Sequence, residues 1–340
     1  MPWYFSSHAR DWVCPSVPSG ALEFHRSLPG YCPTPLVAVP ELAVELGVGE
    51  VLVKDESSRL GLPAFKVLGA SWACSQVLQQ RPGATLVTAT DGNHGRAVAR
   101  MAAHFGVPAT VFVPQVMRPD AAARIADEGA QVVRLDGDYD AAVRRAAEFA
   151  AERDDRALVQ DTAWRGYEEV PVWIVAGYQT LLDEVDSQLD AAPDLVAVPV
   201  GVGSLAEAVI RHYRRPNAPH PRVLAVEPDT AACALASLAA GRPTTVPTAA
   251  TVMAGLNCGS ISSSAWPVLH AGCDAAVAVS DADALRAVAD LDRLGISAGP
   301  SGAATLAGVR AVLGSPERRA ALNLDDRAVV VLLSTEGNSR

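Results

Sequence analysis

From about residue 50 onward, short runs of β-branched residues alternate with alanine-rich stretches, and this alternation limits the fold more than any other feature of the chain. Parallel neighbours need a crossover connection, so short buried strands each followed by a helix predict an α/β protein with largely parallel sheets. The candidate strands are Val51 to Lys54, Thr85 to Thr90, Ala109 to Val113, Gln131 to Leu135, Leu158 to Gln160, Leu195 to Val200, Arg222 to Val226 and Ala328 to Ser334. Between them Ser71 to Gln80, Gly95 to Phe105, Pro119 to Glu128, Tyr139 to Arg153, Val170 to Leu189, Ser204 to Arg214 and Asp281 to Leu294 read as helices. Pro119 suits a first helical turn, and Gly106 and Gly129 suit helix stops. The prolines of 215–221 require an irregular connection.

A chain of 340 residues has room for about two domains. Residues 73 to 168 hold three consecutive strand and helix units, which predicts a small α/β domain inserted into a larger one made of 1–72 and 169–340. A net charge of -10 disfavours nucleic acid as a partner, because phosphate backbones bind basic faces. No apolar run reaches the roughly 18 residues of a membrane span, and the first ten residues lack a signal-peptide layout, so a cytoplasmic protein is expected. The six cysteines, Cys14, Cys32, Cys74, Cys233, Cys258 and Cys273, show no Cys-x-x-Cys pair, so free thiols and no metal site are expected. A redox-sensitive pairing of Cys233 with Cys258 is the alternative.

Only two of the 28 basic residues are lysines, Lys54 and Lys66. Arginine can replace lysine wherever charge alone is needed, but its guanidinium stays protonated and cannot bond an aldehyde. Lys54, at a strand end beside Asp55 and Glu56, reads as a solvated, ion-paired lysine. Lys66 lies in the apolar stretch Leu62-Pro63-Ala64-Phe65-Lys66-Val67-Leu68, where partial desolvation favours a neutral nucleophile. A lysine snorkelling from an amphipathic helix fits the same position.

Two loops lie between a strand and a helix, where open α/β sheets bind ligands. The first, Thr90-Asp91-Gly92-Asn93-His94-Gly95, gathers a carboxylate, an amide and an imidazole. A capped turn made by Asp91 or Asn93 would explain part of it but gives His94 no role. The second, Gly201-Val202-Gly203-Ser204-Leu205, offers backbone N–H groups to a phosphate. Gly201, Gly203 and Ala206 also fit a dinucleotide fingerprint, with Glu227 about 20 residues on as the ribose acid. That reading, a nicotinamide-dependent dehydrogenase, leaves Lys66 and Asp91 without roles, whereas one phosphate-bearing aldehyde cofactor uses all three elements. Ser334 and Thr335 end a buried strand and could meet the ring nitrogen of such a cofactor.

Taken together these segments resemble the fold-type II pyridoxal-phosphate enzymes, the group of tryptophan synthase β and threonine dehydratase, and within it the diaminopropionate ammonia-lyase family. The matching stretches include Phe24 to Tyr31, Pro33 to Leu36, Val53 to Arg59, Ala64 to Lys66, Thr90 to Arg96, Gln160 to Trp164, Gly177-Tyr178, Val226 to Pro228, Met253 to Leu256 and Ser334 to Gly337. The resemblance implies two open, twisted, mostly parallel sheets flanked by helices. It also implies pyridoxal 5'-phosphate bonded to Lys66, with Phe65, Asn93, the loop from Gly201 through Val202, Gly203 and Ser204 to Leu205, and Ser334 or Thr335 around it.

Asp91 and Asp161 are the discriminating residues, since dehydratases and synthases of this fold usually carry a small residue at the Asp91 position. Lys66 and Asp91 would serve as bases toward opposite enantiomers of 2,3-diaminopropionate, while Asp161 and Asp91 would favour its cationic β-amine and either could pass it a proton. His94 and Ser301 join Asp91 and Asp161 as expected substrate contacts. Release of aminoacrylate would then yield pyruvate and ammonia. A homodimer acting on a small amino acid is implied as well, and β-replacement or serine or threonine dehydration is the alternative within the fold. Pro63 replaces a usual Asn, Pro300 a usual Glu, and Ile261-Ser262-Ser263-Ser264 a more proline-containing loop. Gly337-Asn338 stands where an Asp is usual. Such departures bear on substrate more than on cofactor.

Overall fold

The computed structural model describes residues 2–14, 20–90 and 92–338. It divides into two compact units, one of Met1–Pro18, Gly30–Phe65 and Gln179–Arg340, the other of Ser19–Pro29 and Lys66–Tyr178.

The first unit is built on seven strands in the order Trp3–Phe5, Ala275–Val279, Arg222–Pro228, Leu195–Pro199, Val329–Ser334, Glu50–Asp55 and Leu36–Ala38. The inner five run parallel, and the two three-residue edge strands are antiparallel. Continuous apolar runs such as Leu195–Pro199 are fully buried, as strands covered on both faces require. Helix Pro300–Leu313 packs in the same core, with Ala303, Ala304, Leu306, Ala307 and Val309 buried.

Lys54 corrects the expectation of a solvated lysine. Its side chain is wholly buried, and Nζ donates to the Thr34 carbonyl (2.8 Å), Glu184 Oε2 (2.8 Å) and Gln188 Oε1 (2.9 Å). Arg59 is equally buried and reaches Glu184 at 2.6 and 2.7 Å and Glu56 at 2.5 and 2.8 Å. Burial pushes the Lys54 amine down despite Glu184 and Glu56. Burial also opposes the Arg59 charge and the Glu184 carboxylate, but the opposite charges around them win and hold both ionised.

The same knot anchors the turn Arg59 to Leu62, where Leu60 (φ 50°) and Gly61 (φ 73°) are left-handed and Arg59 and Leu62 exchange backbone hydrogen bonds. Beyond it, Phe65 N–H donates to the Thr335 carbonyl at 3.1 Å and Gly337 N–H to the Pro63 carbonyl at 2.9 Å. The chain leading to Lys66 is thereby stitched to the end of strand Val329–Ser334.

The second unit carries four parallel strands in the order Gln131–Leu135, Ala109–Pro114, Thr85–Ala89 and Arg156–Leu158. The last strand lies two residues before the expected Leu158 to Gln160. Past Leu158 the Val159 N–H still reaches the Val87 carbonyl at 2.7 Å, and beyond it a side chain takes over, since Gln160 Oε1 accepts the Ala89 N–H at 3.0 Å. Helix Lys66–Gln80 begins five residues before the expected Ser71, because Val67, Leu68, Gly69 and Ala70 are all buried. It crosses helix Glu169–Gln188 at two glycines: a Cβ on Gly69 would lie 2.5 Å from the Tyr178 ring, and one on Gly177 would lie 2.5 Å from the Leu68 carbonyl oxygen. Larger residues there would drive the helices apart.

No disulfide joins the six cysteines in this structure; Cys14, Cys74, Cys233 and Cys273 are buried, Cys258 is half-buried and Cys32 is exposed. Among the described residues no helix is long and apolar enough to cross a membrane.

Candidate active site

In the second unit, strand Thr85–Ala89 runs through Thr90 into helix Asn93–Phe105. Thr90 Oγ1 accepts the N–H groups of Gly92 (2.9 Å) and Gly95 (3.0 Å). A threonine hydroxyl thus supports this turn and answers N–H groups at the start of the helix. Gly95 is obligatory beside it, since a Cβ would fall 2.3 Å from Thr90 Cγ2. Asp91 lies outside the described residues. Asn93 opens the helix, and His94 turns inward to place Nε2 2.9 Å from the Val159 carbonyl oxygen.

Asp161 follows Gln160, whose side chain is fixed by Thr88 (3.1 Å), Ala89 and Tyr139 (2.8 Å). The following turn is closed by Tyr167, which stacks on Trp164 at 4.5 Å and accepts the Gln160 N–H at 2.8 Å. So held, Asp161 Oδ2 receives Lys66 Nζ at 2.5 Å and stands 3.9 Å from His94 Nδ1. Lys66 is the first residue of its helix, and its side chain keeps 22% of its surface exposed against 6% for Asp161.

Burial alone would push the Asp161 carboxyl up. The charge of Lys66 and the neighbouring His94 outweigh it and hold the carboxyl well below the usual carboxylate range. Burial pushes the His94 imidazole down, with Asp161 opposing and Lys66 adding to the shift, so the ring is neutral at pH 7. Of the predicted residues, the structure thus brings Lys66, Asp161 and His94 into one cluster.

In the first unit, Gly201 to Gly203 connect strand Leu195–Pro199 to helix Ser204–Tyr213, and Gly203 has φ 99°, which favours glycine. The Val202 carbonyl accepts the Ser262 N–H at 2.8 Å, and a Cβ on Gly201 would meet the Gly255 oxygen at 2.9 Å, so the loop is backed by protein on one side. Ser204 and Leu205 begin this helix, and the first-turn N–H groups of a helix start are suited to an anion.

Ser334 and Thr335 end strand Val329–Ser334, both buried. A Cβ on Gly302 would lie 3.0 Å from Ser334 Oγ. Among the described residues neither Ser334 Oγ nor Ser301 Oγ has a hydrogen-bond partner. Glu336 accepts the Ser301 N–H at 3.2 Å, at the start of helix Pro300–Leu313.

Glu227, the acid that a dinucleotide would need for its ribose, is fully buried and accepts the N–H groups of Ala234 (2.8 Å) and Leu235 (2.7 Å). Burial, outweighing those two bonds, pushes its carboxyl up to about 7. It caps helix Cys233–Ala240 and is spent there, which removes the main support for the dehydrogenase alternative.

The family described as pyridoxal-phosphate dependent enzyme matches residues 28–336. Diaminopropionate ammonia-lyase of Escherichia coli (strain K12) is 35% identical over 352 residues, covering 94% of this chain and 88% of the relative. The chain belongs to the diaminopropionate ammonia-lyase family of pyridoxal-phosphate dependent enzymes. Diaminopropionate ammonia-lyase of Salmonella typhimurium (strain LT2) is similar at 34% identity over 357 residues, with the same coverage of 94% and 88%. The crystal structure of the E. coli family member in complex with an aminoacrylate-PLP azomethine reaction intermediate superposes with a TM-score of 0.87 at 34% identity, over 98% of this chain and 90% of that one. The processed form of threonine deaminase isoform 2 from Solanum lycopersicum shares the fold, with a TM-score of 0.79 at 21% identity over 99% and 94% of the two chains.

Pyridoxal phosphate is the cofactor of this ammonia-lyase family, and features of each unit fit it. Ser334 Oγ is a buried hydroxyl in want of an acceptor, which a pyridine nitrogen is. The loop before Ser204 suits a phosphate, and Lys66 supplies an amine. Three contributors were given no role in the sequence reading. Thr90 is visible in hindsight as a hydroxyl ahead of a helix, whereas Gly302 and Glu336 act on residues more than 30 positions away and leave no local sign.

Proposed function

We propose that the chain eliminates ammonia from D- or L-2,3-diaminopropionate, yielding pyruvate and a second ammonia. The observation that carries this reading is the Lys66 ammonium seated on Asp161 at 2.5 Å. Once Lys66 is bonded to the cofactor, the place of its ammonium beside the buried Asp161 carboxylate suits another cation, and the β-ammonium of diaminopropionate is one. A β-hydroxyl is not.

Held at Lys66, pyridoxal phosphate would supply an electron sink that acidifies the Cα–H of a bound amino acid. The Lys66 amine, in its neutral form, would take that proton from one face, and Asp91 is proposed for the other. Asp161 keeps the β-nitrogen protonated, so that it departs with the C–N electron pair as neutral ammonia. In the first unit, Ser334 would hold the pyridine nitrogen by a neutral hydrogen bond without a formal charge, which suits elimination, and the N–H groups from Gly201 to Leu205 would take the phosphate; Phe65 and Asn93 are proposed as ring contacts. A homodimer is proposed on the family resemblance, to be checked by light scattering.

The test is a substrate panel with purified protein and added cofactor, read as pyruvate and ammonia. Both diaminopropionate enantiomers should react far faster than serine or threonine. Turnover of serine or threonine without diaminopropionate would overturn the assignment in favour of a dehydratase.

A further inference from the structure

His94 is buried in the cluster yet its ring has an unused atom. Nε2 lies 2.9 Å from the Val159 carbonyl oxygen, which can only accept, so Nε2 carries the ring proton. A neutral imidazole has one N–H, which leaves Nδ1 as a bare lone pair. Among the described residues Nδ1 has no hydrogen-bond partner, although the side chain is only 5% exposed. Asp161 Oδ2, also an acceptor, lies 3.9 Å away. Two buried acceptors side by side repel unless a donor comes between them, and leaving one unmet is unfavourable.

A single donor with several hydrogens resolves this arrangement. A nitrogen placed at about 2.8 Å from each atom would bridge a gap of 3.9 Å. An ammonium has three hydrogens and can serve both acceptors, a hydroxyl has one, and a halide has none. We infer that His94 is a specificity-determining residue whose Nδ1 accepts a hydrogen from the substrate's β-ammonium while Asp161 Oδ2 accepts another. The inference rests on the proposed elimination from a β-amino substrate and adds to it the reason a β-amine is chosen over other leaving groups. Val159 acts at one remove, by fixing the tautomer. Lys66 and Asp161 are the charged groups facing the ring among the described residues.

The variant His94→Phe keeps a flat ring in the pocket but has no lone pair at the Nδ1 position. The expected result is a fall of about 10- to 100-fold in the ratio of kcat/KM for diaminopropionate to that for β-chloroalanine, whose leaving group needs no hydrogen-bond acceptor. An equal loss on both substrates would overturn the assignment, as a merely structural histidine would give it. The second readout does not depend on turnover: ring ¹⁵N NMR of the wild-type holoenzyme should show His94 protonated at Nε2 and bare at Nδ1 near pH 7. A proton on Nδ1 would overturn the inference, because that nitrogen could not then accept. Wild-type protein that consumes β-chloroalanine but not diaminopropionate would overturn the parent reading instead.

Discussion

The two lysines of this chain both face a carboxylate, and their surroundings differ in the way that separates scaffold from chemistry. Lys54 is fully buried in the first unit, with three acceptors for its three hydrogens and Arg59, Glu56 and Glu184 completing a neutral knot. Lys66, in the second unit, meets Asp161 with part of its side chain still exposed. A buried charge is tolerated when every donor and acceptor is answered, and such a group cannot leave its place. An amine that must bond a cofactor and later take a proton needs an ion pair that can be exchanged for another. In the proposed reaction position 66 needs the nucleophilicity of a lysine; at 54 the lysine serves as a compact three-donor cation, for which the broader guanidinium is a poor substitute.

The largest effect expected is from Lys66→Arg. It preserves the cation on Asp161 but cannot bond an aldehyde, so pyruvate formation should fall by about 10³-fold or more while the melting temperature stays near wild type. Residual activity above a few per cent would break the contrast between the two lysines. Glu184→Ala attacks the other region: it strands Lys54 and part of Arg59, and urea unfolding should show a loss of about 3–5 kcal/mol. A change below about 1 kcal/mol would mean that the knot is no more than a surface-like pair.

The smallest effect is a pH slope. The native Asp161 carboxyl is held below its unfolded value, so its contribution is present above the ordinary carboxylate range and is lost as pH falls through the acid region. Asp161→Asn should therefore flatten the dependence of stability on pH below about 4, and an unchanged slope would sever the link to Lys66. Glu184 is shifted in the same direction, so the wild-type slope is a sum and only the difference between the two proteins is diagnostic.

Much of the architecture could be read because parallel strands buried on both faces leave uninterrupted apolar runs, as in Leu195–Pro199 and Val329–Ser334. Ala275–Val279 is a strand of the same sheet, but three of its five residues are alanines and it lacks a β signature. Helix Pro300–Leu313 hides for the opposite reason, because its small residues are buried nearly all round and show little amphipathic contrast.

Within the cluster, Lys66 and Asp161 could be named from composition and from resemblance. The acceptor state of His94 Nδ1 depends on a carbonyl 65 residues away, and the burial of Lys54 depends on Glu184, 130 residues away. No local pattern encodes either.

The burial of Lys54 also makes the molecule selective toward amine-reactive probes. With every other basic side chain an arginine, Lys66 is the one solvent-reachable lysine of the folded protein. Reductive alkylation of native protein should deposit its label on Lys66 and, beside it, only on the α-amine. Peptide mapping would then read occupancy of that single side chain directly, and Lys54 would take up label only when the fold opens, giving an internal clock for unfolding.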